Sequence, residues 1–139
     1  AEILPIVCSI SCVIMALYFT YIGKFRPLLS FEKKIIFFDL CVTLIWISSE
    51  FLGLTILSVN SIHILLLVSA AVAFIPIYKE VFDDPSAEHP HAWFIWAFAY
   101  LVLLVIVLVE GGDLESILYP VLYAVLHGVV GVMAYKKLL

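Results

Sequence analysis

Apolar runs of about 20 residues, separated only by brief polar breaks, leave this chain few folds to choose from. Four long runs and a slightly weaker fifth each approach the length that crosses a hydrocarbon core about 30 Å thick as a helix. The chain has 139 residues, of which 65% are hydrophobic and only 13% charged, and a mean hydropathy of +1.22. A soluble domain of this size needs far more polar surface to cover its core. The expected fold is therefore all-α, a polytopic membrane helix bundle of about five transmembrane helices. Five crossings take up about 100 residues at that length, so residues 1–139 read as a single transmembrane domain with short loops.

The expected spans are residues 3–22, 35–57, 62–78, 92–110 and 114–135, each to within a few positions. Gly23-Lys24-Phe25-Arg26-Pro27 stops the first, because Gly, charge and Pro all oppose helix continuation. A basic loop to Lys34 follows, Ser58 to Ser61 forms a tight turn, and a polar loop runs from Lys79 to His91. Glu110-Gly111-Gly112-Asp113 separates the last two spans. The break between spans two and three is the least marked, but a single span from Ile35 to Tyr78 would be about twice what a bilayer accommodates.

Charge placement supports the count. Five alternating spans put Lys24, Arg26, Lys33, Lys34, Lys79, Lys136 and Lys137 on one side, which is every Lys and Arg in the chain. The positive-inside rule then places the N-terminus out and the C-terminus in. Trp93 and Trp96 fall at the cytoplasmic end of span four, where indoles favour the headgroup level.

Several function classes are excluded. A net charge of −4 with seven scattered basic residues cannot form a phosphate-neutralising patch, so no nucleic-acid partner is expected. Three cysteines within apolar runs make no disulfide framework. The first run lacks the basic n-region and cleavage site of a signal peptide, and Ala1 leaves room for a piece upstream. There is no phosphate loop, nucleophile elbow, His-Glu-x-x-His or Cys-x-x-Cys, and nothing pairs a nucleophile with its base. No catalytic residue is assigned, and a chain without catalytic activity of its own is the expectation.

Polar residues inside the spans carry what chemistry there is. In span two, Asp39, Thr43, Trp46, Glu50 and Gly53 recur at spacings of four and three. Asp39 and Glu50 then lie within about 20° around the helix and about 16 Å apart along it. Carboxylates at depth face a bundle interior or a wet cavity, so the pair suggests a proton or cation relay; carboxylates near the two interfaces, reaching water there, are the plainer reading. In span five, Ala124, Gly128 and Gly131 make a small-residue face for close helix packing, with His127 beside it. His127 is thereby directed at a neighbouring helix, within reach of Asp39 as a relay partner or bonded to a serine or carbonyl. Haem within the single chain is disfavoured, because His63 and His127 sit at depths more than about 10 Å apart. Cys8, Cys12 and Met15 share a face of span one and are weak candidates for a soft metal, with ordinary packing preferred. Asp83, Asp84, Glu88, His89 and His91 form an acidic loop that matches no known ligand spacing.

With little extramembrane mass and a close-packing helix face, the leading expectation is a small integral membrane subunit. It would assemble with other membrane polypeptides in a structural or accessory role. The alternative is a homo-oligomeric transporter or channel for protons or small cations, using Asp39, Glu50 and His127. A further alternative is the membrane-sensing part of a receptor, continuing beyond Lys136-Lys137. In each case the expected surroundings are the lipid bilayer and either other membrane chains or copies of itself.

Overall fold

The computed structural model describes Ile14, Leu17, Tyr21 and residues 29–136, except residues 53–57 and the side chains of residues 50–52, 59 and 60. The chain divides into two compact units, Ala1–Ser30 and Phe31–Leu139. In the first, Ile14, Leu17 and Tyr21 are helical and exposed. The expected first span, with Cys8, Cys12 and Met15, otherwise lies outside the described residues.

Every described element of the second unit is helical: α1 (Ser30–Leu52), α2 (Val59–Ala73), α3 (Ile75–Asp83), α4 (Pro90–Val109) and α5 (Leu114–Tyr135). Three helical runs among the described residues are long and apolar enough to cross a membrane, namely Ser61–Asp83, Pro90–Val109 and Leu114–Tyr135.

Local chemistry explains the boundaries, including three that differ from the sequence reading. The segment Ser30 to Lys34, expected as loop, is the first turn and more of α1. Glu32 suits that turn, where a carboxylate meets the positive end of the helix dipole. Phe31 packs there too, with Lys79 Nζ 5.2 Å from its ring centroid. The turn expected at Ser58 to Ser61 is instead a helix start: Ser58 is the N-cap of α2, and its side chain accepts from Ser61 N–H at 3.3 Å. Lys79 to Asp83, expected in the polar loop, continues the helix as α3. Phe74, Ile77, Tyr78 and Val81 sit at positions i, i+3, i+4 and i+7, which is one helical face. Val81 is fully buried, so that face has a core to enter despite the charges around it.

Pro76 divides α2 from α3. It has no N–H for the carbonyl four residues back, and the ladder tightens there to a Phe74 N–H to Ala71 O bond of 3.2 Å. Beyond α3, Asp84 accepts from Ser86 N–H at 2.9 Å and caps the short 3₁₀ turn Pro85–Ala87. Helix α4 begins with proline at its first position, where the missing donor costs nothing. It ends in a Schellman motif: Gly112 N–H bonds Val107 O at 2.8 Å and Gly111 N–H bonds Leu108 O at 3.3 Å. Gly111 has φ +74°, the left-handed conformation that glycine adopts without strain.

Helix α5 begins where the sequence predicts, with Asp113 as N-cap accepting from Ser116 N–H at 2.9 Å. Hydrogen bonding from Ser116, its side chain first and its N–H second, holds the Asp113 carboxyl below the usual carboxylate range. A depressed carboxyl stabilises the folded turn at pH above its unfolded value, and the contribution disappears as pH falls through the folded value. Asp113→Ala should therefore speed amide exchange at Ser116 and Ile117 near neutral pH. In acid, where wild-type Asp113 is itself protonated, the two proteins should exchange alike.

Helix α5 is central. It packs along its length on α4 and also meets α2 and α3. Phe74, Val81, Leu126, Val130 and Ala134 form the core between α3 and α5. Tyr78 reinforces it by donating its hydroxyl to Leu126 O at 3.1 Å. On α5, Pro120, Ala124, His127, Gly131 and Ala134 are all buried at spacings of four and three. Of the small-residue face expected to receive another helix, Gly128 and Gly131 meet α4 of the same chain. A Cβ at Gly131 would stand 2.9 Å from the Phe94 ring, whereas one at Gly128 would meet only Ala97 Cβ, at 4.0 Å.

Candidate functional site

A stripe of polar and aromatic side chains winds along α5. Glu115, Tyr119, Tyr123 and His127 follow each other at intervals of four. Each step advances about 6 Å, so the stripe covers about 18 Å of the helix axis. That is more than half of a hydrocarbon core about 30 Å thick.

At its outer end in chain order, Glu115 Oε2 lies 2.7 Å from His63 Nδ1, joining the first turn of α5 to the start of α2. Both side chains are partly exposed. In the middle, Tyr119 and Tyr123 have ring centroids 4.8 Å apart, and Tyr100 of α4 lies 5.9 and 5.0 Å from them. Asp39 of α1 is close enough to Tyr123 for its charge to act on the phenol. Its Oδ1 accepts from Ser69 Oγ at 2.6 Å, and Ser69 on α2 is only 1% exposed. A buried hydroxyl needs a partner, and the carboxylate of α1 supplies it.

His127 ends the stripe inside a ring of aromatic side chains. Phe74, Tyr100, Trp93, Tyr123 and Trp96 have centroids 5.0, 5.2, 5.4, 5.9 and 6.3 Å from the imidazole. Its Nδ1 is 2.7 Å from Tyr123 O. A carbonyl can only accept, so Nδ1 carries the proton and donates it. Nε2 of the neutral ring is then the basic nitrogen. Phe74 and the rings of α4 and α5 thus enclose one buried imidazole, and the Tyr123 carbonyl fixes its tautomer. Their faces are electron-rich and favour a cation at the centre more than aliphatic walls would.

The expected site residues are therefore only partly brought together. Asp39 and His127 are held by different partners, Ser69 and the Tyr123 carbonyl. The Glu50 side chain lies outside the described residues. His63 and His127 are attached to opposite ends of the stripe, at Glu115 and beside Tyr123. Trp93, expected at the headgroup level, turns its ring against His127 and Phe74 while Nε1 donates to Glu88 Oε2 at 2.9 Å. In the acidic loop, Asp84 and Glu88 serve as local acceptors. No group of three or more metal-ligating side chains forms among the described residues.

Glu115, Tyr119, Tyr123, Tyr100 and Ser69 were not anticipated. The fourfold spacing from Glu115 to His127 was the signal for three of them, since i and i+4 side chains adjoin on a helix. Tyr100 and Ser69 carried no such mark, because each is polar by one hydroxyl in an otherwise apolar run. Compared with family models, curated proteins and solved structures, the chain matches none of them.

Proposed function

We propose that this is a five-span membrane protein, N-terminus out and C-terminus in, that passes protons or small cations along the α5 stripe, working as a homo-oligomer. The observation that carries the reading is the unbroken succession of Glu115, Tyr119, Tyr123 and His127, with Asp39 alongside. A proton relay needs titratable or hydroxyl groups at close intervals through the apolar layer, and polar groups there otherwise carry an energetic penalty. His127 supplies a basic Nε2, Asp39 a charge that stabilises a passing cation, and the tyrosines hydroxyls that both donate and accept.

The orientation rests on the distribution of Lys and Arg. The close approach of Lys79 to Phe31 agrees with it, because it puts the start of α1, with Lys33 and Lys34, at the same end as α3. The oligomer is suggested by α4, which among the described helices packs substantially on α5 alone. Ile95, Phe98, Val102, Val105 and Val109 remain exposed on its flanks. The test is proton flux in proteoliposomes containing the purified chain, compared with His127 and Asp39 variants.

A second reading, an accessory subunit bound to other membrane chains, is supported by that same uncovered flank of α4. Gly131 no longer argues for it, because the Phe94 ring of α4 already fills that place. Native mass spectrometry separates the two. Fixed stoichiometry with different polypeptides favours the accessory subunit, and self-association alone favours the homo-oligomer.

A further inference from the structure

Beside the α4–α5 seam, and away from the polar stripe, α5 carries a groove of about 530 Å³ lined by Phe94, Val125, Gly128, Val132, Met133 and Lys136. From this geometry we infer that the groove is a binding site for one anionic glycerophospholipid, with an acyl chain along its apolar floor and the phosphate on the Lys136 ammonium. The inference rests on the membrane placement of α4 and α5 and is independent of any relay.

Three observations lead to this occupant. The first is length. Val125 and Lys136 are separated by about 16 Å of helix, which is about half of a 30 Å hydrocarbon core. The groove therefore has the depth of one leaflet, with its charged end at a membrane surface and its other end near the midplane.

The second is the floor. Two glycines border the seam, and they differ. At Gly131 the missing side chain is filled by the Phe94 ring, so that glycine serves helix packing. At Gly128, which itself lines the groove, no ring fills the place of the missing side chain, and a Cβ there would only touch Ala97 Cβ, at 4.0 Å. An open trough beside a helix in a bilayer is filled by lipid, because a void forfeits dispersion contacts.

The third is charge. The groove walls are aliphatic and aromatic, and its one ionic group is Lys136, just past the last turn of α5. Lys136 is exposed and has no ion-pair partner among the described residues. A long lysine side chain lays its methylenes on apolar surface and holds its ammonium at the headgroup level. A phosphate there meets a full positive charge, and an anionic lipid retains its net negative charge to balance it. A zwitterionic lipid would fill the groove equally well but gain less from Lys136.

The experiment is native mass spectrometry of the whole chain, extracted from nanodiscs containing equal phosphatidylglycerol and phosphatidylcholine. Wild type should retain one phospholipid per chain, with at least a fivefold preference for phosphatidylglycerol. Lys136→Glu should lower that preference to twofold or less while keeping a phosphatidylcholine in the groove. Val125→Trp, at an exposed position that lines the groove, should reduce retention of both lipids. Lys136→Arg should behave as wild type. No preference in wild type, or a preference untouched by Lys136→Glu, would overturn the inference, whatever the outcome of flux measurements.

Discussion

Replacing His127 with phenylalanine should lower proton flux in proteoliposomes at least tenfold, with little change in how the helices pack. The two side chains are close in size and shape, and five rings already surround the site. Phenylalanine fits such surroundings through edge and face contacts of the same kind. The Nδ1 bond to Tyr123 O is lost, but that carbonyl remains in the helical ladder of α5. What disappears is Nε2, the one basic nitrogen at that depth in the described structure. A tenfold loss corresponds to about 1.4 kcal/mol on the barrier to transfer, a modest figure for removing the only group there that can hold a proton as a cation. Asp39→Asn should act in the same direction. The amide oxygen still accepts from Ser69 Oγ, so α1 stays attached to α2, but the charge beside Tyr123 is gone. Flux would be followed with a trapped pH-sensitive dye under a potassium-diffusion potential. If both variants conduct like wild type, the relay is abandoned and the accessory-subunit reading takes its place.

How much of this was legible in the sequence depended on whether the signal was local. The start and end of α5 could be read because Asp113, the glycine pair before it and Lys136 each act on their own backbone neighbourhood. The break before Pro76 was not read, although proline's missing N–H is an equally local signal. The register of α1 and the extent of α3 were not local, because both depended on tertiary burial. Lys79, Glu80 and Asp83 look like loop when read singly, and only the burial of Val81 and Tyr78 against α5 shows why the helix continues through them. The site divides in the same way. Asp39 and His127 were singled out because an ionisable group in an apolar run is conspicuous by itself. Their partners were hidden in composition: Ser69 and Tyr100 become meaningful only when another helix approaches. The small residues of α5 could be recognised as a close-packing face, but whether the incoming helix belonged to this chain or another is a question of topology.

Gly131→Leu should destabilise the protein by about 1–3 kcal/mol or more, the usual consequence of overfilling a packed interior. A first carbon at this position already stands 2.9 Å from two atoms of the Phe94 ring and 3.2 Å from a third, inside van der Waals contact. The rest of a leucine side chain has nowhere to go without moving Phe94 or pushing α4 outward. Since α4 packs substantially on α5 alone, no second interface among the described helices holds it in place. The consequence extends beyond the seam. Trp93, Trp96 and Tyr100 all belong to α4, so displacing that helix removes three of the five rings around His127. The melting temperature in mild detergent should fall, and indole fluorescence should report Trp93 and Trp96 entering a different environment. Two comparisons make the result specific. Gly128→Ala, whose added carbon only touches Ala97 at 4.0 Å, should leave the melting temperature within a degree or two. Phe94→Ala should recover part of the loss when combined with Gly131→Leu, because neighbouring positions that share one space do not add. Equal losses from Gly128→Ala and Gly131→Leu, or strict additivity with Phe94→Ala, would mean that α4 and α5 do not meet at Gly131 and that the aromatic enclosure of His127 is not built as described.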